Sequence, residues 1–376
     1  MIKFFRRLRQ KLIYEDERSE VLQEQNQSEA LTGRTAKRVG RLKRYLIYAI
    51  GEILLVVLGI LIALQINNWN EERKNVFYIE SLLVSIESEL INNIQLANEA
   101  LSGYTENDSF ANLVVDDAVT RNDYLSIDRL RNHIYSRIPF NPTHENLKKL
   151  IEKEEFVPIK YNNLISYAKI ISEDYAVRYI EVKTEENEIL KENMDFITFS
   201  IPTALKQDSA TMAAKINFYT TNEIYKSRVS RTWLARNFVR RIISSTRYQS
   251  IAMLIELKRI RSDFGVSQMR ELFFSLEFEP FQELNCQETP RRKEKNLEEP
   301  YVLINLSNTP KKLRVTYLDG YQTDSPIVNL GLNEIKPCIN QYRGMGEEYT
   351  RTIEVLNEGK CIKKYVSRKN GYLIIE

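Results

Sequence analysis

Histidine and cysteine, the side chains that most often do chemistry in proteins, are sparse in this chain of 376 residues. The histidines are His133 and His144, and the cysteines are Cys286, Cys338 and Cys361. Their spacing to one another and to nearby acids does not match a zinc or other metal site. We therefore predict no metal and no cofactor, and we interpret both histidines as ordinary surface side chains.

One short motif matches a catalytic pattern. Ser166 and Lys169 have the S-x-x-K spacing of the acylating serine and lysine in penicillin-interacting enzymes. The partner motifs S-D-N and K-T-G are missing, and the match lies inside a helical pattern, so we interpret it as chance. The run Gly344-Met-Gly346 is too short for a phosphate-binding loop. We predict that the protein is not an enzyme, and we keep an enzyme with an unrecognised site as an alternative.

The three cysteines all lie late in the chain. An odd number of cysteines does not make a closed disulfide framework. A Cys338–Cys361 bridge is one prediction, because oxidising compartments permit disulfides. The other prediction is three unpaired thiols in a β-domain, since free cysteine is commonly buried.

The segment Tyr45–Ile66 is apolar and long enough to cross a membrane. As a helix it spans about 33 Å at about 1.5 Å per residue, and it is wholly apolar from Ile53 to Leu64. Basic residues without acids precede it from Ala30 onward, and acids follow it. Positively charged flanks stay in the cytoplasm. We therefore predict one transmembrane helix with a cytoplasmic N-terminus and all later residues on the far side.

One face of this predicted span carries Glu52, Gly59 and Ala63. Gly59 and Ala63 form a small-x-x-x-small pair, which lets two helix backbones approach closely. The pattern predicts a helix–helix interface and a homo-oligomer, with Glu52 protonated or bonded across the interface. The alternative is that Glu52 extends back toward Lys43 and Arg44 at the membrane surface.

The N-terminal tail is basic and amphipathic over Ile2–Ile13. We expect it to lie on the anionic inner surface of the bilayer, with Arg6, Arg7, Lys43 and Arg44 as lipid contacts. A nucleic-acid tail is the alternative, but the segment is short and tethered. The net charge of +3 is also too small to indicate a nucleic-acid partner.

Beyond the predicted span, apolar residues recur at three and four and predict a series of helices. The predicted elements are Glu71–Ser102 ended by Gly103, Tyr124–Ile138 with Asp123 as N-cap, a helix through Glu155 capped by Thr143, Tyr161–Phe196, a loop over 200–214, and Asn222–Asp263. The last two helices are acidic and basic, which favours one antiparallel bundle. A basic face for an anionic polymer is the alternative.

The hydrophobic period changes to two after residue 300. We predict six or seven strands in a small β-sandwich. Asn370-Gly371 is a turn signal, so the last two strands, Cys361–Ser367 and Tyr372–Ile375, are predicted to form a hairpin.

Two stretches resemble a known family. They are the opening MIKFFRRLRQ followed by YAIGEILLVVLGILIALQINNWNEERK, and a second landmark at Pro142–Lys148. The chain resembles a family of single-pass membrane proteins of unknown function from Bacteroidota. The resemblance implies an envelope protein of a Gram-negative bacterium, anchored in the inner membrane and facing the periplasm. It implies no activity, and the part from about residue 270 looks like an addition.

We therefore predict a mainly α-helical protein with C-terminal β-structure. The predicted segments are 1–44, a cytoplasmic tail; 45–66, the transmembrane helix; 67–268, a periplasmic helical domain; 269–300, a linker; and 301–376, a β-rich domain. The function that this organisation favours is membrane-anchored binding or scaffolding of a periplasmic protein or envelope ligand. A single-pass sensor that signals through the span is the alternative.

Overall fold

The computed structural model describes residues 34–201, 206, 208–261, 264–288, 294–295, 301–318, 327–331, 335–338, 348–366 and 371–376. Within these ranges, the surroundings of side chains are described from residue 49 onward, except at 294–295, 317–318, 335–338 and 348–351. The chain divides into two compact units, Met1–Arg73 and Lys74–Glu376.

The structure is mainly helical, as predicted. The helices are α1 (Arg34–Val115), α2 (Arg121–Ser126), α3 (Asp128–Asn132), α4 (Glu145–Glu152), α5 (Asn162–Lys169), α6 (Ala176–Ser200), α7 (Ser209–Thr221), α8 (Glu223–Ile260) and α9 (Val266–Ser275). A π-helical turn, Ile170–Tyr175, joins α5 to α6, and single 3-10 turns lie at Glu154–Phe156 and Ile159–Tyr161.

Side-chain contacts give the directions of the long helices. Tyr161, just before α5, contacts Glu80 of α1, and Glu186 of α6 contacts Tyr104, so this part of α1 and the α5–α6 run are parallel. Helix α8 is antiparallel to them, because Asn193 contacts Thr232 and Asn163 contacts Glu256. The predicted antiparallel arrangement of the acidic and basic helices is therefore confirmed for α6 and α8, whereas α6 is parallel to α1 because the chain from α2 to α4 runs back along α1.

The acidic and basic helices do complement each other. Arg231 of α8 donates to Glu192 of α6 at 2.5 Å, and Arg236 and Glu186 form a second pair at 3.3 Å between Nε and Oε1. These ion pairs join α6 to α8, so they confirm the interpretation that the two charged faces complement each other within the bundle.

Gly103 does not end the first helix, which was a wrong prediction. The helix α1 continues to Val115. A Cβ atom on Gly103 would lie 3.4 Å from a side-chain carbon of Ile138. The glycine therefore gives room for the close packing of Ile138 on the helix instead of terminating it.

Four helix boundaries also differ from prediction. Thr120 caps α2, and Asp123 is its capping-box partner three residues later and not the N-cap. Ile127 is extended and separates α2 from α3, so Tyr124–Ile138 is not one helix. Asp208 caps α7, which occupies part of the predicted loop over 200–214. Helix α4 begins after His144, with no side-chain cap from Thr143.

The strands are β1 (Glu279–Pro280), β2 (Gln282–Leu284), β3 (Glu294–Lys295), β4 (Tyr301–Asn305), β5 (Lys311–Leu318), β6 (Ile327–Leu330), β7 (Ile335–Cys338), β8 (Glu348–Asn357), β9 (Lys360–Val366) and β10 (Gly371–Ile375). The first sheet has the order β1-β10-β4-β7, and β10 is parallel to both of its neighbours. The second sheet has the order β2-β9-β8-β5-β6 and is antiparallel, with β3 beside β8.

The central strands of the first sheet, β4 and β10, are buried on both faces. Tyr301 and Leu303 share a core with residues of the second sheet such as Ile353. The alternate residues Val302 and Ile304 share a core with residues of the helices. Helices, first sheet and second sheet therefore form three layers, and the two sheets pack like a sandwich. The uninterrupted apolar run of β4 follows from burial on both faces.

Three β-region predictions are corrected. The range 269–300 contains most of α9 and the strands β1, β2 and β3, so it is not simply a linker. Strands β9 and β10 belong to different sheets and form no hairpin. Cys361 is bonded to Cys286, so both cysteine predictions, a Cys338–Cys361 bridge and three unpaired thiols, are wrong. A sequence pattern does not show which strands lie beside each other, and that arrangement brings Cys286 next to β9.

Candidate functional site

The residues predicted to act in the membrane lie on α1. Glu52, Gly59 and Ala63 are exposed, and a Cβ atom on Gly59 would have open space around it. Lys43 and Arg44 are also on α1, but their side chains are outside the described part, and Arg6 and Arg7 lie outside the described residues altogether. An 18-residue window of α1 has a mean hydropathy of 2.5 and is not buried, so by length and composition it could cross a membrane.

The β region contains a cleft of about 350 Å³ between the margins of its two sheets. Arg270 of α9 and strand β10 form one side, and β2 and β9 form much of the other. Its ionic groups are three cations and two carboxylates: Arg270, Lys311, Lys363, Glu283 and Glu376. The volume is at the small end of the range of about 300–1,000 Å³ that is usual for ligand sites.

The wall of the cleft is fixed where the chain passes from one sheet to the other. Phe281 lies between β1 and β2, is buried, and packs its ring 5.9 Å from that of Tyr301. Its backbone N–H donates to the carbonyl of Tyr372 at 2.9 Å. The Cys286–Cys361 disulfide then ties the chain after β2 to β9. These contacts anchor the corner of the chain to both sheets.

Strand β10 presents an edge to this cleft. Among the described strands, β1 pairs only with Gly371 and Tyr372 and then leaves for the second sheet. The carbonyl of Ile375 faces β4, where it accepts from Leu306 N–H at 2.8 Å. Backbone groups alternate in direction along a strand, so the N–H and C=O of Ile374 point toward the cleft. An exposed edge of this kind is a template for another strand.

The charged groups around the cleft are largely paired, and a tyrosine lies among them. Arg270 is 2.7 Å from Glu376, and Lys363 is 3.9 Å from Glu283, so the charges are largely balanced. Burial raises the pKa of Tyr372, so its hydroxyl keeps its proton at neutral pH and can donate a hydrogen bond. The described residues contain no cluster of acids, histidines and cysteines that could hold a metal ion.

The residues of the S-x-x-K match do not line the cleft. Ser166 and Lys169 lie on α5, and the ammonium of Lys169 is 2.7 Å from a carboxylate oxygen of Glu154. The ammonium of this lysine is therefore engaged by a carboxylate. The interpretation of the match as chance fits this contact.

A second polar cluster is buried among the long helices. Glu186 is fully buried and accepts from Tyr104 at 3.0 Å, Lys183 at 2.5 Å and Arg236 at 3.3 Å. Arg236 also donates to the carbonyl of Ser136 at 2.6 Å. Burial and the adjacent Glu186 raise the pKa of Tyr104, so its hydroxyl acts as a donor. Because every group of the cluster has a partner, we interpret it as a structural hydrogen-bond network that aligns α1, α6 and α8.

Helix α1 also holds the second landmark segment. The buried carboxylate of Glu89 accepts from the backbone N–H of Asn146 at 3.0 Å and of Leu147 at 3.3 Å. The side chain of Asn93 donates to the carbonyl of Thr143 at 2.6 Å and accepts from its N–H at 3.0 Å. Glu89 thus accepts the hydrogen bonds of the first backbone N–H groups of α4. We had predicted this N-cap role for Thr143.

The histidines are not the surface side chains that we predicted. His133 is 1% exposed, with Nδ1 at 2.6 Å from the carbonyl of Leu130, and burial lowers its pKa to about 4. His144 is half-buried, and burial likewise lowers its pKa to about 4. Neither histidine lines the cleft.

The comparisons with known proteins agree with the stated resemblance at a coarse level. A family model described as a family of unknown function (DUF6090) matches residues 52–147, about a quarter of the chain. The match begins at Glu52 and ends at Leu147, so it contains both Glu89 and the segment that Glu89 holds. No curated protein and no solved structure matches the chain. The cleft lies wholly outside the matched residues.

Proposed function

We propose that the chain is a single-pass membrane protein whose later part binds a partner on the far side, in the periplasm of a Gram-negative envelope. The apolar, unburied window of α1 and the basic residues before it support this topology. The Cys286–Cys361 disulfide supports the placement of the β region outside the cytoplasm, since disulfides persist in oxidising compartments.

The partner that the cleft fits is an extended segment of an envelope protein. The observation that carries this proposal is that β1 pairs with β10 only as far as Tyr372, while Ile374 lines the cleft and, by strand alternation, turns its N–H and C=O away from β4. A segment that adds to this edge would gain main-chain hydrogen bonds, and the cleft side chains would select its residues. The protein then acts as a scaffold that holds this segment near the membrane. It makes and breaks no covalent bond.

Photocrosslinking in living cells tests this proposal. A photoreactive residue at Ile362, which lines the cleft and is 54% exposed, is expected to capture a discrete partner. Ile327 on β6 is 57% exposed and is the matched control at the opposite edge of the second sheet. Equal capture from both positions would contradict the proposal.

A substitution in the strand edge sharpens the test. Ile374→Pro removes the N–H that points into the cleft, and proline is tolerated at an edge position whose N–H is not used by the sheet. Ile374→Val keeps the N–H and is the matched control. We expect capture from Ile362 to be lost with proline and kept with valine, at equal levels of the Cys286–Cys361 disulfide. Capture that survives the proline would argue against strand addition.

The second candidate function is signal transfer through the membrane. It is favoured by Glu52, Gly59 and Ala63, which lie on one exposed face of α1 and would suit a helix–helix interface. In this case a ligand on the far side would change the association of the spans.

A further inference from the structure

One end of the Lys74–Glu376 unit gathers around the first turns of α1 in that unit, and we name it the proximal end. Glu80 of α1 accepts from the hydroxyl of Tyr161 and lies 3.6 Å from the ammonium of Lys160. Arg261, at the end of α8, is paired with Glu87 at 2.9 Å. The connection from α4 to α5 and the end of α8 therefore both lie beside this part of α1.

Three large apolar side chains are exposed at the proximal end. Ile159 is 87% exposed, Phe77 is 78% exposed and Phe156 is 40% exposed. Phe77 lies one helical turn before Glu80 and on the same side of α1, which is the side that Lys160 approaches. Single exposed apolar residues are ordinary on protein surfaces, but three around one end need a partner that favours them.

Two lysines accompany these apolar side chains. The ammonium of Lys153 lies 5.6 Å from the ring centre of Phe156, and that of Lys160 lies 4.4 Å from the ring centre of Tyr161. Lysine places its aliphatic part along apolar surface and its charge in the polar layer. Apolar tips with neighbouring cations suit the surface of a bilayer that contains anionic lipids, where each cation contributes about 1 kcal/mol.

The sequence keeps the proximal end close to the proposed membrane. Only Asn67–Arg73 separates the last residue of the predicted span, Ile66, from Lys74. Even a fully extended chain covers no more than about 28 Å between Ile66 and Lys74. The bilayer surface is therefore within reach of the proximal end for any path of the chain between them.

We propose that Phe77, Phe156 and Ile159 insert into the polar layer of the bilayer, with Lys153 and Lys160 contacting anionic lipid headgroups. The inference rests on the membrane anchoring proposed above. It adds that the proximal end docks on the same membrane, so the β10 cleft is held at a set height above the surface. A free tether would leave that height undefined.

Fluorescence quenching in reconstituted full-length protein tests the docking. Ile159→Cys in a Cys338→Ser background would carry a fluorophore, and the quencher is a lipid with a nitroxide headgroup in vesicles of neutral and anionic phospholipids. Phe199→Cys is the control, because Phe199 is 84% exposed at the other end of α6. Along the helix axes that end lies about 55 Å from Glu80.

We expect the label at position 159 to lose at least half of its fluorescence and the label at position 199 to lose almost none. Equal quenching at the two positions would overturn the docking proposal. Membrane anchoring is measured separately, as retention of the protein in vesicles after an alkaline wash. Loss of that retention would overturn the anchoring, whereas retention without quenching at 159 would overturn only the docking.

The contribution of the lysines has its own test. Lys153→Gln with Lys160→Gln removes two charges that are not needed to fold the exposed connection, since the Lys160–Glu80 pair is exposed and weak. We expect the quenching at position 159 in anionic vesicles to fall to its value in neutral vesicles. If the quenching at position 159 changed neither with the two Lys→Gln substitutions nor between anionic and neutral vesicles, the role given to the lysines would be contradicted.

Discussion

Helix α1 carries two stretches with different surfaces. From Ala49 to Glu72 its residues are exposed all around, including the wholly apolar run from Ile53 to Leu64. From Ile79 onward one stripe is buried at helical spacing and joins the core of the later unit. An all-round apolar helix needs an apolar surrounding on every side, whereas a striped helix needs protein on one side and water on the other. The pattern of the residues thus indicates an apolar environment for the first stretch and a boundary between protein and water for the second.

The carboxylates of α1 differ in the same way. Glu52, in the first stretch, is exposed. Glu89, in the second stretch, is 7% exposed and holds the start of α4 through two backbone N–H groups. Burial raises the pKa of Glu89, while the two N–H groups oppose that rise. A buried acid is tolerated where partners surround it, so the second stretch specifies neighbours much more tightly than the first.

The largest expected effect is on the buried contacts that join the second stretch of α1 to α6 and α8. Glu186→Ala removes the shared acceptor of Tyr104, Lys183 and Arg236, which leaves two cations with little exposure inside the bundle. We expect the free energy of unfolding to fall by about 3–5 kcal/mol, because an uncompensated buried charge is costly. Thermal or denaturant unfolding in detergent measures this loss.

Glu192→Ala is the matched control for Glu186→Ala. It removes the Glu192–Arg231 pair between the same two helices, but both side chains are about half exposed. The expected loss is below about 1 kcal/mol, as is usual for surface pairs. Similar losses for the two variants would mean that burial of the cluster does not matter for stability.

The next effect concerns the β region. Cys286 and Cys361 are 75 residues apart, and their bond closes the corner beside the cleft. Cys286→Ser is expected to cost about 2–4 kcal/mol of stability, because the unfolded chain gains freedom. Unfolding with and without a reductant measures it, with Cys338→Ser as the control. An unchanged midpoint for Cys286→Ser would contradict the pairing.

A smaller effect depends on pH and on the packing of His133. Its pKa in the folded protein is lowered to about 4 by burial, below the ordinary value near 6.5. The unfolded chain therefore binds the proton more readily, so stability is complete above pH 6.5 and falls as the pH drops toward 4. The loss is up to about 3 kcal/mol. His133→Asn keeps a donor for the Leu130 carbonyl, and the stability of this variant should depend less on pH. If its stability depended on pH as that of the unchanged protein does, His133 would not be the source of the effect.

The smallest effect on folding, and the sharpest for the first stretch, is expected at Gly59. A side chain there meets open space in the single chain, so Gly59→Leu should leave the stability of the later unit unchanged. We expect it to weaken association of the span in a membrane reporter assay, and Glu52→Ala to change it as well. Gly51→Leu is the control, because Gly51 also has open space but lies on another face of the helix. Equal association of all the variants would contradict the predicted interface.

Local patterns predicted the helices better than the contacts between them. The long helix from Asn222, capped by that residue, follows directly from the spacing of its apolar residues. Gly103 and Thr143 misled because their roles depend on Ile138 and Asn93, which a local pattern does not bring together. The cleft was missed for the same reason. The apolar run Tyr372–Ile375 did carry a signal, since burial on both faces argues for a central strand beside β4 and against a hairpin.

Cysteine accessibility in spheroplasts tests the proposed membrane topology. Single cysteines replace Ser19 in the tail and Phe199 in the helical region, in the Cys338→Ser background, and a membrane-impermeant maleimide is added before and after permeabilisation. We predict that position 199 reacts in intact spheroplasts and that position 19 reacts only after permeabilisation. The opposite pattern, or reaction of neither position before permeabilisation, would contradict a cytoplasmic N-terminus with the binding region on the far side.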